Sequence, residues 1–157
     1  MIKGVVVMRF AISREEVMET IQMVTEQNLD IRTITMGINI QDCRGENGQR
    51  TGRKIYEKIA GQAEKLVRVG EDIERDYGIP IINKRISVTP VSMVADGLDD
   101  KEMLQIAYYL DKAASEVGVN FLGGFAALVH KGYTRGDLAL VRALPEALAS
   151  TERVCAA

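Results

Sequence analysis

The 157 residues include no tryptophan, only three phenylalanines and one histidine. Each scarcity excludes something. With so few aromatics, a stacking platform for single-stranded nucleic acid is poorly supported. One histidine and two distant cysteines, Cys43 and Cys155, supply no zinc set and no C-x-x-C, so no metal centre is expected. Two cysteines in a chain that is 46% hydrophobic do not make a disulfide framework. Charge of one sign is also missing: 20 Lys and Arg stand against 22 Asp and Glu, which gives no reason to expect nucleic acid or an anionic membrane as partner. No apolar run approaches the ~20 residues that span a bilayer. The opening "MIKGVVVMRF" lacks the longer apolar core and cleavage site of a secretory signal. The sequence therefore reads as one cytoplasmic globular domain over residues 1–157.

What is present alternates between helical and strand patterns. Ser13 and Glu16 have capping-box spacing, and Val17, Ile21 and Val24 follow at helical intervals, which predicts a helix over 14–27. In "DIRTITMGINI" (30–40), Ile34, Met36, Ile38 and Ile40 fall on one face of a strand, and Thr33, Thr35, Gly37 and Asn39 on the other. "QDCRGENGQRTG" reads as a polar loop. A single long helix is expected over 52–77, with Gly78 as its C-terminal cap. "IPIINKRISVTP" (79–90) predicts a second strand with Ile82, Ile86 and Val88 on one face and Asn83, Arg85, Ser87 and Thr89 on the other. Asp99, Asp100 and Glu102 mark the next helix start, and Gly118 its end. Residues 119–137, "VNFLGGFAALVHKGYTRGD", read as strand three and a turn. Thr134 and Asp137 then cap a helix that Pro145 is expected to kink or restart. "TERVCAA" opens a fourth strand. Such alternation indicates an α/β fold with mostly parallel strands.

The first two strands are unusual for a parallel sheet covered on both faces, where nearly continuous apolar runs are the norm. Each has a polar face that must meet water, another chain or a wide polar interior. A closed barrel with a roomy lumen fits this, and so does an open sheet with one solvated face. Four strands cannot close such a barrel, so the barrel reading implies a fragment or a chain completed by another polypeptide.

Several residues invite chemistry, each beside a plainer reading. His130 suits a general acid or base at the end of strand three, or is a histidine bonded to backbone or water. Asp42 and Cys43 follow strand one, where ligands bind in parallel sheets, and Arg44 or Arg50 favours a thiolate; an ordinary βα loop with an unreactive cysteine is the plainer and preferred reading. Asn83, Lys84 and Arg85 either bind an anionic ligand or form structural ion pairs. Thr89 and Ser92 either donate to a ligand or cap a turn. Gly123 and Gly124 either admit a ligand or form a bulge. No phosphate-binding glycine motif is present.

Four blocks, "TIQMVTEQNLDIRTITMGINIQDC", "GIPIINKRISVTPVSMV", "GVNFLGGFAALVHKGYTRGD" and "ALASTERVCAA", together resemble the N-terminal part of the uncharacterised prokaryotic PFL family. That family is named for structural similarity to pyruvate formate-lyase and anaerobic ribonucleotide reductase. The resemblance covers residues 14–157. It implies part of a ten-stranded α/β barrel related to glycyl-radical enzymes, in proteins longer than this chain, with Met8 as the more natural start and residues 1–7 as an extension. No radical-glycine segment is recognisable here, so neither an enzymatic activity nor a cofactor is implied. The leading expectation is a lumenal site for a small polar or anionic metabolite. It draws on Asp42, Cys43, His130, Asn83, Arg85, Thr89, Ser92, Gly123 and Gly124. The alternative is a non-enzymatic metabolite-sensing or assembly module, working as a homo-oligomer or with a second chain that completes the barrel.

Overall fold

The computed structural model describes residues 13–26, 30–130 and 132–157. The suggested start at Met8, the last residue of the predicted 14–27 helix, the Val24 side chain and Lys131 lie outside the described residues. The chain divides into two compact units, 1–30 and 31–157. In the first, helix α1 (Arg14–Thr25) begins where the capping box predicts: Ser13 Oγ accepts from the Glu16 amide, and the Glu16 carboxylate accepts from the Ser13 amide.

The second unit is a parallel sheet flanked by helices. Strands β1 (Ile31–Ile38), β2 (Ile81–Val88), β3 (Phe121–Phe125) and β4 (Val154–Ala156) lie side by side in chain order, all parallel. The crossovers carry α2 (Gly48–Ala63), α3 (Leu66–Tyr77), a short α4 (Val91–Val94), α5 (Asp100–Val117) and α6 (Arg135–Ser150). The core lies between sheet and helices. Ile38, Ile86, Val88, Leu122, Phe125 and Val154 from the strands meet Ile55, Ile59, Met103, Ile106, Leu110 and Leu140 from the helices. Ile82 shares the side of Ile86 and Val88, as expected, but is left 46% exposed near the start of β2.

The caps follow the sequence closely. Asp99 with Glu102 and Thr134 with Asp137 form capping boxes, and Gly78 and Gly118 end α3 and α5 in the left-handed conformation, φ +69° and +80°. Other expectations are corrected. The polar loop after β1 is shorter than predicted. A 3-10 turn at Gln41–Cys43 is followed by α2, which starts at Gly48 with Asn47 Oδ1 accepting from the Arg50 amide. The single helix over 52–77 is two helices, broken at Glu64–Lys65. The break allows two different dockings: α2 approaches α5 closely, where Gly48 faces Glu102 and Gly52 faces Tyr109, while α3 lays Gly70 against Ile34 and Lys84. Helix α6 continues through Pro145 and is not restarted there. The missing amide orphans only the carbonyl of Val141, a residue exposed enough for water to serve it. Strand three is five residues long. It ends where Gly124 takes φ +115° and the β3–β4 register shifts, a bulge after which 126–130 leave the sheet as loop.

Candidate functional site

The half-polar pattern of β1 and β2 has a definite physical outcome. Period-2 alternation sends one set of side chains into the helix-packed core and the other to the opposite face. On that face, the register aligns Thr35 with Arg85 and Arg85 with Phe121. The next row is Gly37, Ser87, Gly123 and Cys155, one residue from each strand. Thr35, Arg85, Ser87, Phe121, Gly123 and Cys155 line a concavity of about 360 Å³, shared with Ile86.

The two basic residues of β2 separate sharply. Lys84 turns toward α3 and is structural: its Nζ lies 3.0 Å from Glu74 Oε1 and 2.8 Å from the Ile81 carbonyl. Arg85 turns to the polar face. Its guanidinium carbon lies 5.2 Å from the centroid of the Phe121 ring, within cation–π range. Its Nε is buried without a hydrogen-bond partner, and among the described residues no carboxylate pairs with it. Of the pair that the sequence left undecided, one is an ion pair and the other is a cation without a counter-charge among the described residues.

The remaining sequence candidates are distributed elsewhere. Asn83 lies on the same face and donates from Nδ2 to the Arg32 carbonyl. Thr89 Oγ1 accepts from the Ile40 amide, tying down the exit of β1. Ser92 is buried against α6, beside the buried Asp137. Gly124 packs directly on Val88 and lies outside the concavity, whereas Gly123 opens onto it. Asp42 and Cys43 sit in the 3-10 turn. The Lys58 ammonium pairs with Asp42 and holds its carboxyl below the usual range. Burial, and then the Asp42 charge, push the Cys43 thiol up, so this cysteine is disfavoured as a thiolate. His130 is not at a strand end; it is exposed in the loop that follows the β3 bulge. Among the described residues no group of three or more His, Cys, Asp or Glu is placed to hold a metal ion, and no helix is long and apolar enough to cross a membrane.

Thr35, Phe121 and Cys155 were not singled out as site residues from sequence, and Ser87 only as part of the polar face of β2. The signal for Cys155 was parity: if Val154 of a short strand is buried, its neighbour faces the other way.

Comparison with known proteins agrees on one uncharacterised family. The family model described as "Uncharacterised ACR (DUF711)" matches residues 22–157. The chain is 61% identical over 143 residues to a UPF0210 protein of Desulforamulus reducens, covering 91% of this chain and 32% of that protein. It is 61% identical over 140 residues to a UPF0210 protein of Clostridium acetobutylicum, covering 89% and 31%. A UPF0210 protein of Acetivibrio thermocellus is 60% identical over 140 residues, again covering 89% and 31%. The chain spans about a third of the length of these curated relatives.

Proposed function

The chain belongs to the DUF711 family, and we propose that its polar sheet face binds a small anionic metabolite. The observation that carries this reading is Arg85. A buried N–H without an acceptor costs about 1–3 kcal/mol, and a guanidinium without a counter-charge on a concave face is an anion receptor in waiting. Phe121 lies within cation–π range of the guanidinium and favours its position beside the concavity, where its donors suit a carboxylate or phosphate. The hydroxyls of Thr35 and Ser87 line the same concavity and supply further donors.

In the finer form of the proposal, this face looks into the lumen of an α/β barrel like those of pyruvate formate-lyase and anaerobic ribonucleotide reductase. Four parallel strands in strict chain order, covered by helices on one side and polar on the other, support an arc of such a barrel. No reaction is proposed.

Anion titration of the chain's thermal midpoint tests the reading, with malonate and inorganic phosphate as probes. At least one of them raises the midpoint of the wild type at constant ionic strength, and the rise disappears in Arg85→Gln. No rise with either anion, or a rise that survives Arg85→Gln, overturns it.

A second reading, an assembly module completed by another polypeptide, is favoured by an exposed apolar strip on α6. Leu138, Val141 and Leu148 on α6 are 42–45% exposed. Light scattering after gel filtration tests it: a monodisperse monomer over a wide concentration range rules out self-assembly.

A further inference from the structure

Two glycines occupy strand interiors where nothing in the fold asks for them. Glycine in a strand costs stability, about 0.5–1 kcal/mol against alanine, and the other described glycines are explained by a close contact or a positive φ, the helical Gly61 excepted. Gly37 and Gly123 have neither. A Cβ at either position would meet nothing within 4 Å, and neither carries a φ in the positive region. Strand glycines of this kind mark places where a ligand or another backbone comes close. They flank Ser87 in one row of the polar face, and that row ends at Cys155.

We infer that Cys155 is the thiol of the anion site, and that its ligand is a small carboxylate lying over Gly123 between the Arg85 guanidinium and the Cys155 sulfur. The inference deepens the anion-binding reading and rests on it. Phe121, which the guanidinium covers, and Gly123, the partner of Cys155, are two residues apart on β3. Strand spacings of roughly 4.8 Å across and 3.3 Å along place the backbone positions of Phe121, whose ring lies beside the guanidinium, and Cys155 about 8 Å apart. A carboxylate hydrogen-bonded to the guanidinium at about 2.8 Å, with its α-carbon about 3.3 Å from the sulfur, spans that distance. Charge selects the class. Among the described residues Arg85 is the one charged side chain lining the concavity, so the ligand is held by one carboxylate on the guanidinium. Cys155 is exposed, while Cys43 is buried and its thiol pushed up by burial, so the two cysteines differ in access and in reactivity.

Iodoacetate is the probe, because it is itself a small carboxylate that reacts with thiols. The sulfur attacks its CH₂ carbon, iodide leaves with the bonding pair, and the thiol proton passes to solvent. Labelling of Cys155 is followed by mass spectrometry, with uncharged iodoacetamide as the comparison and free glutathione as the reference for the intrinsic rate ratio. The iodoacetate-to-iodoacetamide ratio at Cys155 exceeds that of glutathione about tenfold, the effect of one well-placed opposite charge. The preference saturates with iodoacetate concentration and falls to the glutathione ratio in Arg85→Gln. It is also lost in Gly123→Val, which keeps the charge and, by the open space above Gly123, keeps the fold; its circular dichroism and thermal midpoint match or exceed the wild type. A ratio equal to that of glutathione in the wild type overturns the inference, as does a preference that persists in either variant. Should malonate still raise the midpoint through Arg85 while labelling shows no preference, the anion reading stands and the thiol inference falls. Should both measurements fail, both fall.

Discussion

Gly124 lies against Val88 so closely that a Cβ on it would stand 2.5 Å from the Val88 carbonyl oxygen, although its neighbour Gly123 has open space above it. The two adjacent glycines therefore respond oppositely to one added methyl. At Gly124 the backbone is at φ +115°, which L side chains rarely adopt, and the β3 bulge depends on it. Gly124→Ala costs at least 1–3 kcal/mol, roughly the strain of such a conformation, with the displacement of Val88 added. Gly123→Ala is neutral or stabilises by up to about 1 kcal/mol. Urea unfolding of the two variants reads both outcomes; equal midpoints would refute the assignment.

Asp137 predicts a response to acid. It is buried at the start of α6, where its carboxylate accepts from the Thr134 amide at 2.9 Å and the Thr134 hydroxyl at 2.8 Å. The Thr134 amide is the chief cause of its lowered pKa, with Ser92 and the Thr134 hydroxyl contributing in the same direction. A lowered value means that the folded chain holds this proton less tightly than the unfolded chain. The stabilisation is complete above about pH 4, the ordinary carboxylate value, and is lost as pH falls through the folded value. Asp137→Asn lowers stability at pH 7 by about 1–3 kcal/mol and flattens the acid limb of a stability profile. An unchanged acid limb in the variant would count against this carboxylate as its source.

The Lys84–Glu74 pair is expected to matter more than the chain's surface ion pairs. Its side chains are 14% and 28% exposed, against 62% and 81% for Arg50–Glu46. Glu74 Oε1 also accepts from the Ile81 amide at 2.6 Å, so this carboxylate both neutralises Lys84 and anchors the start of β2. Glu74→Ala lowers stability by clearly more than Glu46→Ala, because it strands a half-buried ammonium and an amide. Glu46→Ala changes stability by less than about 0.5 kcal/mol. Denaturation of the two variants side by side gives the comparison, and equal losses would refute the distinction.

The cysteines give a count that can be read directly. Cys43 is 3% exposed and its thiol is pushed up by burial and by Asp42, while Cys155 is exposed. Reaction of the folded chain with a thiol-disulfide reagent therefore releases one equivalent rapidly near neutral pH, and the second only on unfolding. Rapid release of two equivalents would overturn the burial of Cys43.

How much of this was legible follows from the range of each interaction. Caps were readable because their partners lie three residues apart: Ser13 with Glu16, Asp99 with Glu102, Thr134 with Asp137. The strand faces were readable because alternation is local. The break at Glu64–Lys65 was not, because the apolar stripe continues through it and only docking against α5 and β2 divides it. The length of β3 was hidden for a related reason: "FAALV" looks like strand, but the bulge at Gly124 depends on contact with Val88, 36 positions earlier. Site residues divide in the same way. Arg85 and Gly123 could be suspected from their own strands. Lys84 and Arg85 could be told apart only once α3 brought Glu74 to one of them.

That asymmetry sets up the last prediction. A group retained for binding rather than for folding is one whose removal spares stability and abolishes recognition. Arg85 fits: its Nε is buried and unpartnered, so its charge stabilises no described neighbour except through the Phe121 ring. Methionine keeps a flexible apolar body for Phe121 and removes the unsatisfied donor. Arg85→Met therefore leaves unfolding stability within about 1 kcal/mol of the wild type or raises it, since loss of the cation–π contact, about 0.5–1 kcal/mol at such a site, is offset by relief of the orphaned N–H. The same variant no longer responds to malonate or phosphate. A loss of several kcal/mol in urea unfolding would instead make Arg85 a structural residue, and the case for an anion site on this face would lose its main support.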